Sequence, residues 1–159
     1  MKNEIERKFF VKQMPDLSGI MPVHYERYFL ERGNGKEVRI SKVDHSYVYE
    51  DKSEVSDLER TRTKKEITKE GFEKLRQNSS EAIVRERYNI SSNPDIAIQV
   101  YHGRFEGLIR AEVEFDSEEE AKSFTPLPWM GEEMTGLPIA RDSKLLDLAD
   151  TEFKKYMHQ

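Results

Sequence analysis

Along most of this chain polar and apolar residues alternate with a period of two, the pattern of strands that bury one face. The alternation predicts strands over 3–11, 24–32, 36–43, 45–52, 59–66, 82–90, 96–102 and 108–116. Turn material separates them, as in Gly33-Asn34-Gly35 and Ser91-Ser92-Asn93-Pro94-Asp95. The period becomes helical in three places. Thr68 is placed to cap a helix carrying Phe72 and Leu75. Ser117-Glu118-Glu119-Glu120 has the form of a capping box ahead of Ala121 and Phe124. From about Asp142, the spacing of Leu145, Ala149, Phe153 and Tyr156 predicts a terminal helix. Pro126-Leu127-Pro128-Trp129 breaks the chain between the last two helices. With no repeat, low-complexity tract or boundary along it, 1–159 reads as a single domain.

Within the strands the charged side chains keep parity. At the N-terminus Glu4-x-Glu6-x-Lys8 points two carboxylates and an ammonium one way, with Ile5, Phe9 and Val11 pointing the other. Arg39 stands against Val38 and Ile40. Arg85 and Arg87 share a face opposite Val84 and Tyr88, and Glu112 and Glu114 share one opposite Ala111, Val113 and Phe115. The polar face of a single strand ordinarily meets water. Several such faces in one small domain suit a closed antiparallel barrel of about eight strands, with its charges turned inward around a ligand. Its apolar faces would then lie outward, beneath about three covering helices. The fold class is mainly β, of the α+β kind.

Composition limits the chemistry. The chain has 26 basic and 31 acidic residues in 159, a net charge of −5, which argues against sequence-specific or indiscriminate nucleic-acid binding and leaves a local basic cavity open. There is no cysteine, so disulfides, thiolate metal sites and cysteine nucleophiles are excluded. No apolar run approaches the roughly 18 residues of a membrane span, and the charged N-terminus lacks a secretory core. A cytoplasmic location is expected. His24, His45, His102 and His158 show no shared spacing and read as ordinary.

Taken in order, these segments resemble the CYTH domain, or triphosphate tunnel metalloenzyme, family over nearly the whole chain. The resemblance is carried by Glu4-Ile5-Glu6-Arg7-Lys8-Phe9, Tyr28-Phe29-Leu30, Val38-Arg39-Ile40, Lys52, Lys65-Glu66-Ile67, Arg85-x-Arg87-Tyr88 and Gly107-Leu108. Ala111-Glu112-Val113-Glu114-Phe115, Pro128-Trp129-Met130-Gly131 and Glu133-Met134-Thr135 continue it. The resemblance implies a tunnel that binds triphosphate groups with Mg²⁺ or Mn²⁺. It makes Glu4, Glu6, Glu112 and Glu114 metal-ligand candidates, and Lys8, Arg39, Lys52, Arg85 and Arg87 phosphate ligands. Tyr28, paired with Lys8, would position or protonate the reacting phosphate, or else form an aromatic wall. Glu114 could orient the attacking water. Glu112 and Glu114 would serve equally to neutralise neighbouring arginines.

The chain also departs from that pattern. Ser41 stands where a second arginine is expected, and Gln99 where many relatives have aspartate. The fifth strand reads Arg60-Thr61-Arg62-Thr63-Lys64, so Arg62 and Lys64 replace two expected carboxylates. If Arg60, Arg62 and Lys64 join the other five phosphate candidates inside, eight cations face four carboxylates, an excess of four positive charges. The expected activity is metal-dependent hydrolysis of inorganic triphosphate or a nucleoside triphosphate. A non-catalytic polyphosphate- or nucleotide-binding module is the alternative, as is a class IV-type adenylyl cyclase, although no adenine-binding signature is visible. The Trp129 region suits either a tunnel cover or a homodimer contact.

Overall fold

A computed structural model describes residues 2–79 and 81–157, so His158 lies outside the described residues. Nine strands are present among these: β1 (Lys2–Val11), β2 (Val23–Gly33), β3 (Lys36–Val43), β4 (Ser46–Glu54), β5 (Glu59–Glu66), β6 (Ile83–Ser91), β7 (Asp95–Tyr101), β8 (Ile109–Phe115) and β9 (Met130–Glu133). They form one antiparallel sheet in the order β5-β4-β3-β2-β6-β7-β8-β1-β9, and a further β1–β5 pairing closes the first eight into a barrel. All eight strands predicted from alternation are found, with ends shifted by no more than two residues. β9 is an addition that pairs with Phe9 and Val11, further along the edge of β1 that β5 joins at residues 2–5; its four residues are too few to show a period.

Strand parity decides what faces where. Ile5 and Phe9 on β1, Ile96 on β7, and Ala111, Val113 and Phe115 on β8 point outward and pack with Ala121 and Met130. The helix α2 (Glu118–Ser123) covers this cluster, its first turn held by Ser117, whose hydroxyl accepts from Glu120 N–H. Arg7, also outward, ties it down by donating to the Ala121 and Phe124 carbonyls at 2.8 and 3.0 Å. Trp129 packs on the same outer cluster rather than over the tunnel. Across the barrel, α1 (Lys69–Arg76) is capped by Thr68 and seats Phe72 against Tyr28 and Tyr47, while Leu75 stays exposed.

One end of the barrel is apolar inside. Phe29, Ile83, Tyr101 and Leu108 continue the inward parity of their strands and meet Ile139, Leu145, Leu148 and Phe153 from the C-terminal segment. The terminal helix expected from Asp142 is in fact two, α3 (Asp142–Leu145) and α4 (Asp150–Met157). The break lets α3 lie across the barrel end while Phe153 of α4 stacks on Phe105, ring centroids 5.3 Å apart. The second helix has its own start, because Ala149 N–H donates to Glu152 Oε1 at 3.0 Å. Among the described residues there are therefore four helices instead of three.

Ile83 and Val84 provide an internal test of this inside–outside assignment. Ile83 is 0% exposed in the plug and Val84 is 40% exposed on the outer face. Ile83→Ala should cost about 2–5 kcal/mol, and Val84→Ala less than about 1 kcal/mol, by urea denaturation. Equal losses would contradict the apolar plug.

Candidate active site

Above the plug the barrel interior is lined almost wholly by charge. Glu4, Glu6 and Lys8 from β1 meet Arg39 from β3, Lys52 from β4 and Arg60, Arg62 and Lys64 from β5. Arg85 and Arg87 from β6 and Glu112 and Glu114 from β8 complete the expected set, and all twelve border one cavity of about 230 Å³. Tyr28 is the exception. It faces outward, takes a hydrogen bond from Arg76 at 3.2 Å and packs on Phe72, so it cannot act with Lys8. The parity of β2 instead turns Tyr25 and Arg27 inward.

Five further charged groups reach the cavity without having been expected there: Arg27, Glu50, Arg110, Arg141 and Asp142, with Asp95 at the rim. Glu37 is buried just behind it. Parity could have found several, since Glu50 shares a face with Lys52, Arg110 with Glu112, and Glu37 with Arg39. Asp142 carried no such signal, because it arrives from outside the barrel. Among the described residues the lining holds eleven basic and seven acidic side chains, so the excess is again four positive charges.

These charges form a network of ion pairs, because an isolated buried ion is far too costly to keep. Glu50 lies between Arg27 at 3.5 Å and Arg39 at 3.4 Å, with Arg62 at 3.8 Å. Burial would raise its pKa, but Arg39 and Arg27 hold it well below the ordinary range. Glu37 receives Arg60 at 2.7 Å, with Arg39 at 3.5 Å, and the Ser143 hydroxyl donates to it. Burial again opposes the charge, yet Arg60 and Arg39 carry Glu37 down to about 2. Glu112 accepts twice from Arg110, at 3.0 and 3.1 Å, and once from Gln99 at 3.3 Å. Gln99 also accepts from Arg85, so the amide bridges an arginine and a glutamate. Glu112 is thus an arginine partner before it is anything else.

The lysines respond differently. Lys8 donates to the Ala140 carbonyl at 2.7 Å, and its pKa is lowered by burial, reinforced by Arg110 and Arg60. Lys52 lies 2.6 Å from Glu4 Oε1, with Arg62 3.7 Å from the other oxygen. Burial, Arg39 and Arg60 outweigh the attraction of Glu4 and Glu6 and bring Lys52 down to about 7. Glu4 is held below its ordinary value: burial raises it, but Lys52 and then Arg62 lower it further. The pair is therefore ionic on the acid side of neutrality.

Two buried side-chain atoms at this cavity have no aligned hydrogen bond, Glu4 Oε1 and Arg39 Nε. One is an anionic acceptor and the other a cationic donor. Glu6 and Glu114 stand directly opposite each other across β1 and β8, and Asp95 is opposite Glu114 on the other side. Among the described residues no three His, Cys, Asp or Glu side chains form a ready metal cage. A pair of carboxylates still fits Mg²⁺ or Mn²⁺, which is commonly held by one or two carboxylates together with phosphate oxygens and water. Glu6 and Glu114 fit that role; Glu112, held by Arg110, and Glu4, held by Lys52 at 2.6 Å, fit it less well. The described histidines stay outside: His24 and His102 flank Glu86, and neither they nor His45 borders the cavity. No described helix is long and apolar enough to cross a membrane.

No family model matches the chain. Its sequence is 32% identical over 136 residues to an inorganic triphosphatase of Nitrosomonas europaea, covering 83% of this chain and 89% of that protein. A crystal structure of an inorganic triphosphatase matches with a TM-score of 0.67 and 28% identity, over 94% of this chain and 97% of the other. A protein from Pyrococcus furiosus shares the fold, with a TM-score of 0.56 and 17% identity over 94% and 93% of the two chains.

The Glu37 pairings set a pH dependence. The difference between about 2 in the folded chain and the ordinary 4.5 is worth about 3 kcal/mol. Because the folded value is the lower one, this stability is present above pH 4.5 and is lost as pH falls toward 2. Glu37→Gln should therefore lower stability by about 3 kcal/mol at pH 7, with the gap closing over that acid range in urea melts. A gap that stayed constant with pH would assign the loss to packing.

Proposed function

The chain belongs to the family of the Nitrosomonas europaea inorganic triphosphatase, and we propose that it hydrolyses inorganic triphosphate in the charged barrel, as a triphosphate tunnel enzyme of the CYTH type. The observation that carries this reading is the excess of four positive charges in one enclosed cavity of a chain whose net charge is −5. Such a cavity attracts small polyanions and little else. Its size favours the inorganic ion over a nucleotide. About 230 Å³ lies below the roughly 300–1,000 Å³ of pockets that enclose drug-sized ligands. Only Tyr25, Val43 and Val48 offer carbon-rich surface in the lining, and no apolar slot is available there for a base.

In this reading the cations divide the work by exposure. Arg62 and Arg87 have side chains 23% and 28% exposed, and Lys64 is exposed at the mouth, so they meet an entering phosphate first. Arg39 and Lys52, deeper, neutralise the charge that develops on the transferring group by exchanging their contacts to Glu50 at 3.4 Å and Glu4 at 2.6 Å. Lys8, fixed by Ala140, adds positive charge beside the phosphate chain. Glu6 and Glu114 would hold Mg²⁺ or Mn²⁺, which when bound supplies charge withdrawal from phosphate oxygens, and Glu114 would orient a water for in-line attack. Arg62 and Lys64, standing where acidic residues are expected, supply part of that neutralisation themselves.

Phosphate release from tripolyphosphate, measured with Mg²⁺, Mn²⁺ and neither, tests the proposal; ATP should be the poorer substrate. Glu6→Gln with Glu114→Gln should lower turnover by about a hundredfold or more, while tripolyphosphate still raises the melting temperature. Binding without phosphate release under every metal condition would make the protein a polyphosphate receptor. Pyrophosphate release from ATP with a cyclic product would make it a cyclase.

The reversed pair supplies a sharper result. Arg62→Glu with Lys64→Glu should weaken tripolyphosphate binding and reduce turnover if both side chains clamp phosphate. Higher metal-dependent turnover in that variant would instead mean that these positions had lost a metal site.

A further inference from the structure

Asp142 is a carboxylate at the innermost part of a cavity built for anions, and its side chain is 2% exposed. Guanidinium groups from three different strands converge on it. Arg27 Nη1 lies 2.9 Å and Arg85 Nε 3.2 Å from Oδ2, and Arg110 Nη2 lies 3.4 Å from Oδ1. The Tyr101 hydroxyl donates to Oδ1 as a fourth partner. Four donors match the roughly four lone-pair positions of a carboxylate. Each arginine also has a partner of its own, Arg27 with Glu50 at 3.5 Å, Arg110 with Glu112 at 3.0 Å and Arg85 with Gln99, yet all three turn a donor on one point, a convergence that suits a multivalent oxyanion. Arg85, Arg110 and Arg27 in turn hold Asp142 far below the ordinary carboxylate range despite its burial.

The acid is delivered to this position by the chain that crosses the barrel end. The same segment offers two backbone acceptors to tunnel cations, Ala140 O to Lys8 at 2.7 Å and Ile139 O to Arg110 at 3.1 Å. Thus 139–142 presents four oxygen acceptors to the inner cations, much as the oxygens of a phosphate group would. About 230 Å³ of space remains above it.

We propose that Asp142 is a built-in anion that occupies the innermost phosphate position of the tunnel, stops an entering polyphosphate above it, and so fixes which phosphate bond lies beside Glu6 and Glu114. The acid is a positioning residue: it touches no reacting atom and acts through the three arginines. The inference rests on the polyphosphate reading for its consequence, but the three-arginine socket can be tested without any turnover.

The experiment compares the full-length chain with Asp142→Ala and Asp142→Asn. Melting temperatures are taken in orthophosphate and in chloride at matched ionic strength. Asp142→Ala removes both charge and volume, so phosphate should stabilise it about twofold more in degrees than it stabilises the original chain. Asp142→Asn removes the charge and keeps the volume, and its extra response should be absent. With tripolyphosphate, Asp142→Ala should lose about a hundredfold in kcat with no rise in KM, because the chain slides one phosphate too deep. The rate on tetrapolyphosphate relative to tripolyphosphate should rise by about tenfold.

An equal phosphate response in Asp142→Ala and the original chain would overturn the proposal, as would equal responses in the Ala and Asn variants, which would reflect general relief of repulsion. Should Asp142→Ala fail to fold in chloride, recovery in phosphate alone supports the socket, and recovery in neither overturns it. If the original chain hydrolyses no polyphosphate, the enzymatic reading fails while the melting comparison still decides the socket.

Discussion

A cation taken from water into a barrel interior must find an anion, and among the described residues seven of the eleven cations that border this cavity are buried. The effective penalty for each unpaired buried ion is several kcal/mol, comparable with the whole stability of a small domain. Most of the architecture follows from meeting that demand. Carboxylates are interleaved with the cations strand by strand: Glu50 reaches Arg27 and Arg39, Glu37 reaches Arg60, and Glu112 reaches Arg110. Because the interior is given to charge, apolar residues are forced outward or to one end. There they need the cover of α1, α2 and the C-terminal segment. That segment has two functions, since it brings Ile139 and Leu145 to the apolar plug and Asp142 to the arginines.

Compensation is uneven along the tunnel, and the unevenness is where function can enter. At the inner end the pairing is dense: Arg27, Arg85 and Arg110 share Asp142, and Arg60 has Glu37. Toward the mouth Arg62 approaches its carboxylates only at 3.7 and 3.8 Å, and Arg87 approaches Glu112 at 3.7 Å. These looser contacts, in partly solvated positions, are worth less than the inner ones. An entering polyanion can exchange them without dismantling the fold. The excess of four charges is therefore concentrated in the cations that are least committed.

Much of this was legible in the chain because the period-2 pattern is carried by charge as well as by carbon. Eight strands and twelve tunnel residues followed from parity and from a resemblance with specific motifs. The failures are informative. Tyr28 was assigned by resemblance against the parity of its own strand, in which Tyr25, Arg27 and Phe29 point inward; the backbone followed parity. Glu50 and Arg110 obey parity, sharing faces with Lys52 and Glu112, but lie outside the motifs that carry the resemblance. The terminal helix looked continuous because Leu145, Ala149 and Phe153 keep helical spacing across the break. Asp142 could not be placed at all, because its partners are set by where a whole segment docks. No local pattern encodes that.

The same contrast clarifies the substitutions in the fifth strand. Replacing two acids by Arg62 and Lys64 would leave a tunnel of this kind overcharged unless acids were available elsewhere. Glu50 lies opposite Lys64 on the neighbouring strand and 3.8 Å from Arg62, and Glu4 lies 3.7 Å from Arg62. Asp142 neutralises the inner arginines from outside the barrel altogether. The negative charge that meets these cations thus lies on β1, β4 and the crossing segment and not on β5, while the net excess remains modest. This distribution keeps the electrostatic demand for a polyanion and leaves one wall of the cavity without carboxylates. The candidate metal-holding carboxylates lie on β1 and β8, where Glu6 and Glu114 stand opposite each other. Mg²⁺ or Mn²⁺ would find few protein oxygens there, so the charge of a triphosphate would be met chiefly by the cations of the tunnel.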